Sequence, residues 1–527
     1  MTDPLDRMIA AAKAGRITRR EFVGRTTALG VSAGLASALF TKAAHAEPKK
    51  GGLIRLGMQG GESTNSLDPA LAASEVPFTV NYSWGEMLVN VSAEGEIQMR
   101  IAEEVSSNAD ATEWKFKIRQ GVEFHNGKTV TAEDVVATLR RHTDEKSQSG
   151  ALGIVQGISE MSAEGDTVTL KLVSGNADLP FLMADYHLVI QPDGGVDNPA
   201  EGVGAGPYKM VVHEPGIRHG FEKFANYFDD SIGHADQTEI LVINDGTART
   251  SALQSGQVHI INRVDPKISE LLKRAPGVQV KSAPGRSHYV FIMHVDKPPF
   301  DNNDLRMALK LAVNRQELVD KILGGLGSIG NDFPINSAYP LFDESIPQRE
   351  YDPAAAAEYY KKSGHDGSPI VLRTAQGAFP GAVEAAQLFQ QSAAAAGIPL
   401  EIKREPDDGY WSNVWNVEPF CASYWTGRPV QDQMYSTAYV STAEWNDTRF
   451  KNAKFDELLL AARAELNPET RKATYSEMAM IVRDEGGLIL PMFNEFVEAV
   501  RDEVQGWEAD PNGELMNGRA HVRCWLA

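Results

Sequence analysis

"KFKIRQGVEFHNGKTVTAEDV", Lys115–Val135, is the stretch on which the fold reading turns. Trp114, Phe116 and Ile118 alternate with polar residues, which predicts a strand through the run Glu113–Phe124. Gly127-Lys128-Thr129 invites a phosphate-loop reading, but that loop needs four residues between its glycines, and Gly121 and Gly127 enclose five. The residues after Lys128-Thr129 read instead as a helix start. Thr131 is the N-cap, Asp134 takes the third position of a capping box, and Val135, Val136 and Leu139 form an apolar stripe. Glu133 and Asp134 fall in the first helical turn, where the helix dipole favours carboxylates without any metal. The segment is a strand, a turn at Asn126-Gly127 and a helix, and its use is structural.

The sequence has 527 residues, too many for one core, with 42% hydrophobic and 23% charged residues as in an ordinary globular protein. A formal net charge of −20 argues against nucleic acid or an anionic membrane surface as partner. Residues 1–46 read as a signal peptide. Arg19-Arg20 with Phe22 forms a twin-arginine pattern, Thr26–Phe40 is uncharged and shorter than a membrane span, and Ala44-His45-Ala46 is a small-x-small cleavage site. This segment is net basic, so the exported chain is more acidic still. No cysteine follows the apolar run, so a lipid-anchored N-terminus is not expected. Cys421 and Cys524 are the two cysteines, and an oxidising compartment permits, without requiring, a bridge between them.

Beyond residue 46, strands alternate with helices, which predicts an α/β chain. "LIRLGM", "DTVTLKLV" and "GLILPMF" read as strands. Asp304–Leu323 reads as one amphipathic helix ending at Gly324-Gly325, and "NAKFDELLLAARAE" and "PETRKATYSEMAMIVRDEG" as two more. A catalytic set is not found. His213 and His219 in "HEPGIRH" are six apart across Pro215-Gly216, which reads as a loop and not a zinc-binding helix. There is no nucleophile elbow, no CxxC and no metal-ligand cluster, so no enzyme activity, cofactor or metal is expected.

The motifs in order, "KFKIRQGVEFHNGKTVTAEDV", "GAGPYKM" with "FANYF", "ALQSGQVHI", "KPPFDNNDLRMALKLAVNRQEL" and the late helix pair before "LILPMF", resemble a family 5 solute-binding protein of ABC importers, the peptide/nickel class. Phe124, Gly127, Ala132, Glu133 and Asp134 match its signature, with Asn126 where Asp is commoner. The resemblance implies a two-lobe periplasmic-binding-protein fold, type II, with an extra domain inserted in the first lobe. Expected boundaries are 47–84, 192–284 and 493–527 for lobe I, 85–191 for the inserted domain and 285–492 for lobe II. It further implies a periplasmic monomer that closes on a peptide or peptide-like ligand and docks on membrane permease subunits.

Relatives that bind dipeptides carry Trp-Thr-Gly-Asp, whose Asp pairs the ligand ammonium. Here Tyr424-Trp425-Thr426-Gly427 leads into Arg428. Arginine would repel an ammonium and offers a fork to a carboxylate or phosphate. Arg428 is therefore the candidate anion clamp, which would admit an anionic or N-blocked ligand; an Arg428–Asp432 pair is the competing arrangement. Trp425 and Tyr424 are candidate apolar walls, and Ser63, Thr64 and Asn65 candidate hydrogen-bonding residues on the loop after the first strand. His294 stands where the family usually has Asn. Two other classes stay open: an exported hydrolase or amidase, and a binding protein that reports to a receptor.

Overall fold

The computed structural model describes residues 48–527, other than 145, 147 and 466, together with Thr26. The signal segment expected over 1–46 otherwise lies outside the described residues. Among those described, no helix is long and apolar enough to cross a membrane.

An eleven-stranded mixed sheet runs through the molecule. Its strands along the chain are β1 (Leu53–Met58), β2 (Tyr208–Glu214), β3 (Arg218–Lys223), β4 (Gln237–Val242), β5 (Ile260–Ile261), β6 (Val278–Met293), β7 (Gly327–Ile329), β8 (Ile370–Thr374), β9 (Leu400–Arg404), β10 (Phe420–Trp425) and β11 (Leu488–Arg501). The spatial order is β9-β8-β10-β6-β11-β5-β1-β4-β3-β2, with β7 on β11. The two long strands β6 and β11 pair antiparallel in the middle, β10 continuing the sheet on one side and β5 and β1 on the other. Their register shifts between Pro284 and His288 and again between Tyr289 and Phe291.

Residues 88–205 enclose a hydrophobic core of their own, including Trp114, Phe116, Phe124, Val135 and Leu139. The opening stretch lies here. Its strand ends at Ile118, earlier than the alternation predicts, because the chain turns at Gly121 with φ +77°. The helix α1 that follows, Ala132–Thr143, has the full capping box. Asp134 is buried and accepts from the backbone N–H and Oγ of Thr131, from the Asp193 backbone N–H at 2.7 Å and from Lys128 Nζ at 2.7 Å. The lysine of the apparent phosphate loop thus bridges Asp134 and Asp193.

Two expectations need correction. The helix expected over Asp304–Leu323 is two, Asn303–Leu311 and Arg315–Ile322, because the Asn314 side chain accepts from the Glu317 backbone and caps a new start. "HEPGIRH" is more than a loop: β2 and β3 form a hairpin around it, placing His213 opposite His219 with their Nδ1 atoms 3.0 Å apart. No third ligand joins them, and among the described residues no group of three His, Cys, Asp or Glu could hold a metal. The cysteines are both free and buried. Cys421 lies in β10 opposite Ile292, while Cys524 Sγ sits 3.7 Å from Met516 Sδ near the C-terminus.

Candidate functional site

The cleft lies between the β1 side of the sheet and the β10 side. The loop after β1 reaches across it. Glu62 accepts from the Trp411 backbone N–H at 2.7 Å, Ser63 Oγ donates to Asp408 at 3.0 Å, and Gln59 Nε2 donates to the Gln376 carbonyl at 3.1 Å. Thr64 Oγ bonds Glu62, and the Asn65 side chain accepts from the Glu62 backbone. The two sides are therefore closed on one another, with Ser63 and Thr64 exposed at the mouth and not in its floor.

Deeper in, β10 ends at Trp425 and the chain turns through Thr426-Gly427-Arg428. Gly427 has no room for a side chain, since a Cβ would lie 2.8 Å from Arg286 Cβ and 3.2 Å from the Asn512 carbonyl. That close approach curls Arg428 back into the cleft, where it is 3% exposed. Its Nη1 donates to Thr426 Oγ1 at 3.0 Å and the Gly427 carbonyl at 3.2 Å, and its Nη2 to the Tyr186 hydroxyl at 3.1 Å. Its Nε has no hydrogen-bond partner. Asp185 is close enough to attract it, but its carboxylate is bonded to His187 at 2.6 Å, and burial is outweighed there so that its pKa is lowered to about 2. Arg428 is thus a buried cation facing neutral oxygens.

The competing Arg428–Asp432 pair does not form. Asp432 points the other way, onto Arg463 Nε at 2.6 Å, a buried ion pair that removes it from the cleft wall.

Arg428 lines two adjoining cavities. One also has Glu75, Phe78, Tyr186 and Asn512 on its walls; the other is walled by Trp411, Trp415, Tyr424, Trp425 and Trp445. Asp447 orients this aromatic wall by accepting from Trp415 Nε1 at 3.0 Å and Trp425 Nε1 at 3.1 Å. Burial pushes the Asp447 carboxyl up to about 7, against the pull of those two indoles. Four of the chain's eight tryptophans fall within residues 411–445, a density the sequence reading used at only one of them.

The floor comes from the C-terminal segment. Leu515, Met516 and Asn517 have φ of 54°, 57° and 56°, one left-handed turn of non-glycine residues. Such a turn costs about 1–2 kcal/mol per residue. It is tied down by Glu498, which accepts from the Leu515 N–H, and it presents Glu514 to Arg263 Nε at 2.7 Å. Glu75, Arg263, Tyr186 and this turn were not singled out from the sequence.

The family model for the middle region of bacterial extracellular solute-binding proteins, family 5, matches residues 96–447. The chain belongs to this family. Members are substrate-binding proteins of ABC transporters, not enzymes, and work outside the cytoplasm. The glutathione-binding protein GsiB of Salmonella paratyphi A is 24% identical over 474 residues, covering 86% of this chain and 91% of its own. Among solved structures, the binding protein AgaA of A. tumefaciens R10 in complex with agropinic acid has a TM-score of 0.81 at 24% identity, over 90% of this chain and 99% of its own. DppA of Helicobacter pylori in complex with peptide STSA has a TM-score of 0.82 at 20% identity, over 91% and 99%. The fold of this family 5 chain is thus the two-lobe α/β fold of periplasmic binding proteins.

Proposed function

We propose that this chain captures a small peptide-like molecule bearing an anionic group, holds it between two lobes against Arg428, and delivers it to the permease of an ABC importer. The observation that carries this is Arg428 itself, a buried guanidinium with a free Nε and no carboxylate in contact, at the position where dipeptide-binding relatives carry an acid. A buried guanidinium with no carboxylate in direct contact is incompletely paired, and an anion from the ligand supplies that partner. The cavities beside it are only ≈ 40 and ≈ 20 Å³, so a molecule of amino-acid size enters only when the lobes part. Trp425 and Tyr424 form the apolar wall, Thr426 and Gly427 orient the arginine, and Ser63, Thr64 and Asn65 act at the mouth as part of the closing contact. The lobes divide where β6 and β11 cross, with lobe I over 47–84, 192–284 and 493–527, lobe II over 285–492, and 85–191 inserted in lobe I. Export by the twin-arginine route and action as a periplasmic monomer complete the reading.

The test is a thermal-shift screen of the refolded mature protein with dipeptides, N-blocked peptides, opines, glutathione and nickel chelates. A ligand at 100 times its dissociation constant adds about 2.7 kcal/mol. Acidic compounds are expected to raise the midpoint, and Arg428→Ala to abolish the rise. An unchanged affinity in Arg428→Ala refutes the anion clamp.

A further inference from the structure

Arg428 is not the only incompletely paired charge in the cleft. Arg263 is 6% exposed, and neither its Nη1 nor its Nη2 has a hydrogen-bond partner. Everything else about it is fixed. Its Nε is held by Glu514 at 2.7 Å, its guanidinium lies over the Tyr424 ring at 4.1 Å, and its backbone sits at φ 48° with its carbonyl bound by Arg249. Arg249, by contrast, spends its donors on the carbonyls of Ile243, Asn244, Asn262 and Arg263 and on the Gln59 side chain. The Arg263 fork is the part left free. Glu514 does not need that fork, because its second oxygen accepts from Asn262 at 2.9 Å.

Opposite stands Glu75, at the start of the buried helix Glu75–Trp84 and 3% exposed, with Oε2 lacking any partner. Glu75 and Arg263 attract one another but make no ion pair. Both side chains flank Gly60: a Cβ there would lie 3.2 Å from Glu75 Cβ and 3.8 Å from Arg263 Nη1. A buried carboxyl and a buried guanidinium fork that each keep unused polar atoms are left unsatisfied unless something bridges them. A group bridging them must carry an ammonium and a carboxylate a few ångströms apart.

Resting on the solute-capture reading above, we propose that the cleft reads an α-amino acid head group, its ammonium on Glu75 and its carboxylate on the Nη1–Nη2 fork of Arg263, while Arg428 takes a further acid of the same molecule. The ligand class is an amino acid or amino-acid-headed conjugate with a second anionic group. A neutral sugar would leave the Arg263 fork without an anion and Glu75 without an ammonium, and an N-blocked peptide would leave Glu75 so. Burial and the nearby Glu514 push the Glu75 carboxyl well up, and an arriving ammonium restores its charge.

The experiment is calorimetric and thermal-shift titration of the mature chain with L-glutamate and γ-glutamylglycine, each against its N-acetyl and α-amide analogues. The free-head compounds are expected to bind at least about tenfold tighter than either analogue, the range of a lost charged hydrogen bond. Glu75→Gln is expected to bring the free and N-acetyl forms within about threefold of each other, and Arg263→Gln to do so for the acid and amide forms. Because each readout is a ratio on one folded variant, a general loss of stability does not mimic it. The proposal is overturned if N-acetyl compounds bind wild type as tightly as free ones, if Glu75→Gln keeps the discrimination, or if no free-head compound binds. Binding of N-acetyl acids alone would sink the head-group reading and leave solute capture standing; silence from these compounds and from the wider solute screen would sink both.

Discussion

Replacing Asp447 by asparagine tests how the aromatic wall of the cleft is held. The Asp447 carboxyl is buried, carries two indole N–H bonds on one oxygen, and has its pKa raised to about 7 from an ordinary 3.8. A raised folded pKa means that the folded chain binds more protons than the unfolded one between those values. Stability from this group is therefore full below pH about 3.8, falls as pH rises, and is level again above about 7. A difference of about three units corresponds to about 4 kcal/mol of burden on the charged form at pH 8. Asparagine removes the charge, keeps an oxygen for both indoles and resembles the protonated carboxyl; the raised pKa already includes the indoles' pull on the charged form. The expected net is a gain of about 4 kcal/mol at pH 8 and about 1 kcal/mol at pH 4.5. Urea unfolding of wild type and Asp447→Asn at pH 4.5, 6 and 8 measures it. A variant that loses as much stability at pH 8 as at pH 4.5 refutes the argument, and would mean that Asp447 is charged and well paired in the fold.

Asp432→Asn breaks the buried pair with Arg463 and is expected to destabilise by about 3 kcal/mol while leaving ligand affinity of the folded fraction unchanged, read by urea unfolding and titration. Gly427→Ala forces a Cβ against Arg286 and the Asn512 carbonyl, so it is expected to lower the thermal midpoint by the equivalent of about 1–3 kcal/mol and to weaken binding together with it. Asp134→Ala removes the capping box and the partner of Lys128; about 2 kcal/mol or more should be lost, seen as a lower urea midpoint with ligand discrimination intact.

What was legible in the sequence was local. The Thr131/Asp134 capping box, the Gly127 turn and the Val135–Leu139 stripe depend on residues within a few positions of one another, and each stands as its spacing implies. Arg428 was legible as a candidate because it interrupts a run, Trp425-Thr426-Gly427, that has a known continuation. The break at Asn314 was not, since asparagine inside an amphipathic pattern is tolerated as often as it caps. Glu75 and Arg263 were illegible for a different reason. Their meaning lies in partners 188 positions apart and in nitrogens left free, and neither leaves a periodic trace. The left-handed turn Leu515–Asn517 contains no glycine itself, and it is held by contacts that include Glu498 of β11 on the Leu515 N–H and Arg519 on the Asn517 carbonyl.

The two long central strands carry a mechanical consequence. β6 and β11 remain hydrogen-bonded on both sides of the register break at Pro284–His288, so with the lobes divided as proposed they are joined by paired strands and not by a loose tether. At that break Gly285 packs so closely that a Cβ would meet the Pro511 carbonyl at 2.7 Å, and its own carbonyl is held by Asn336. A joint of this kind confines bending to the few residues at the break and keeps the flanking strand pairs aligned. Each release of cargo then ends with the lobes already in register for the next.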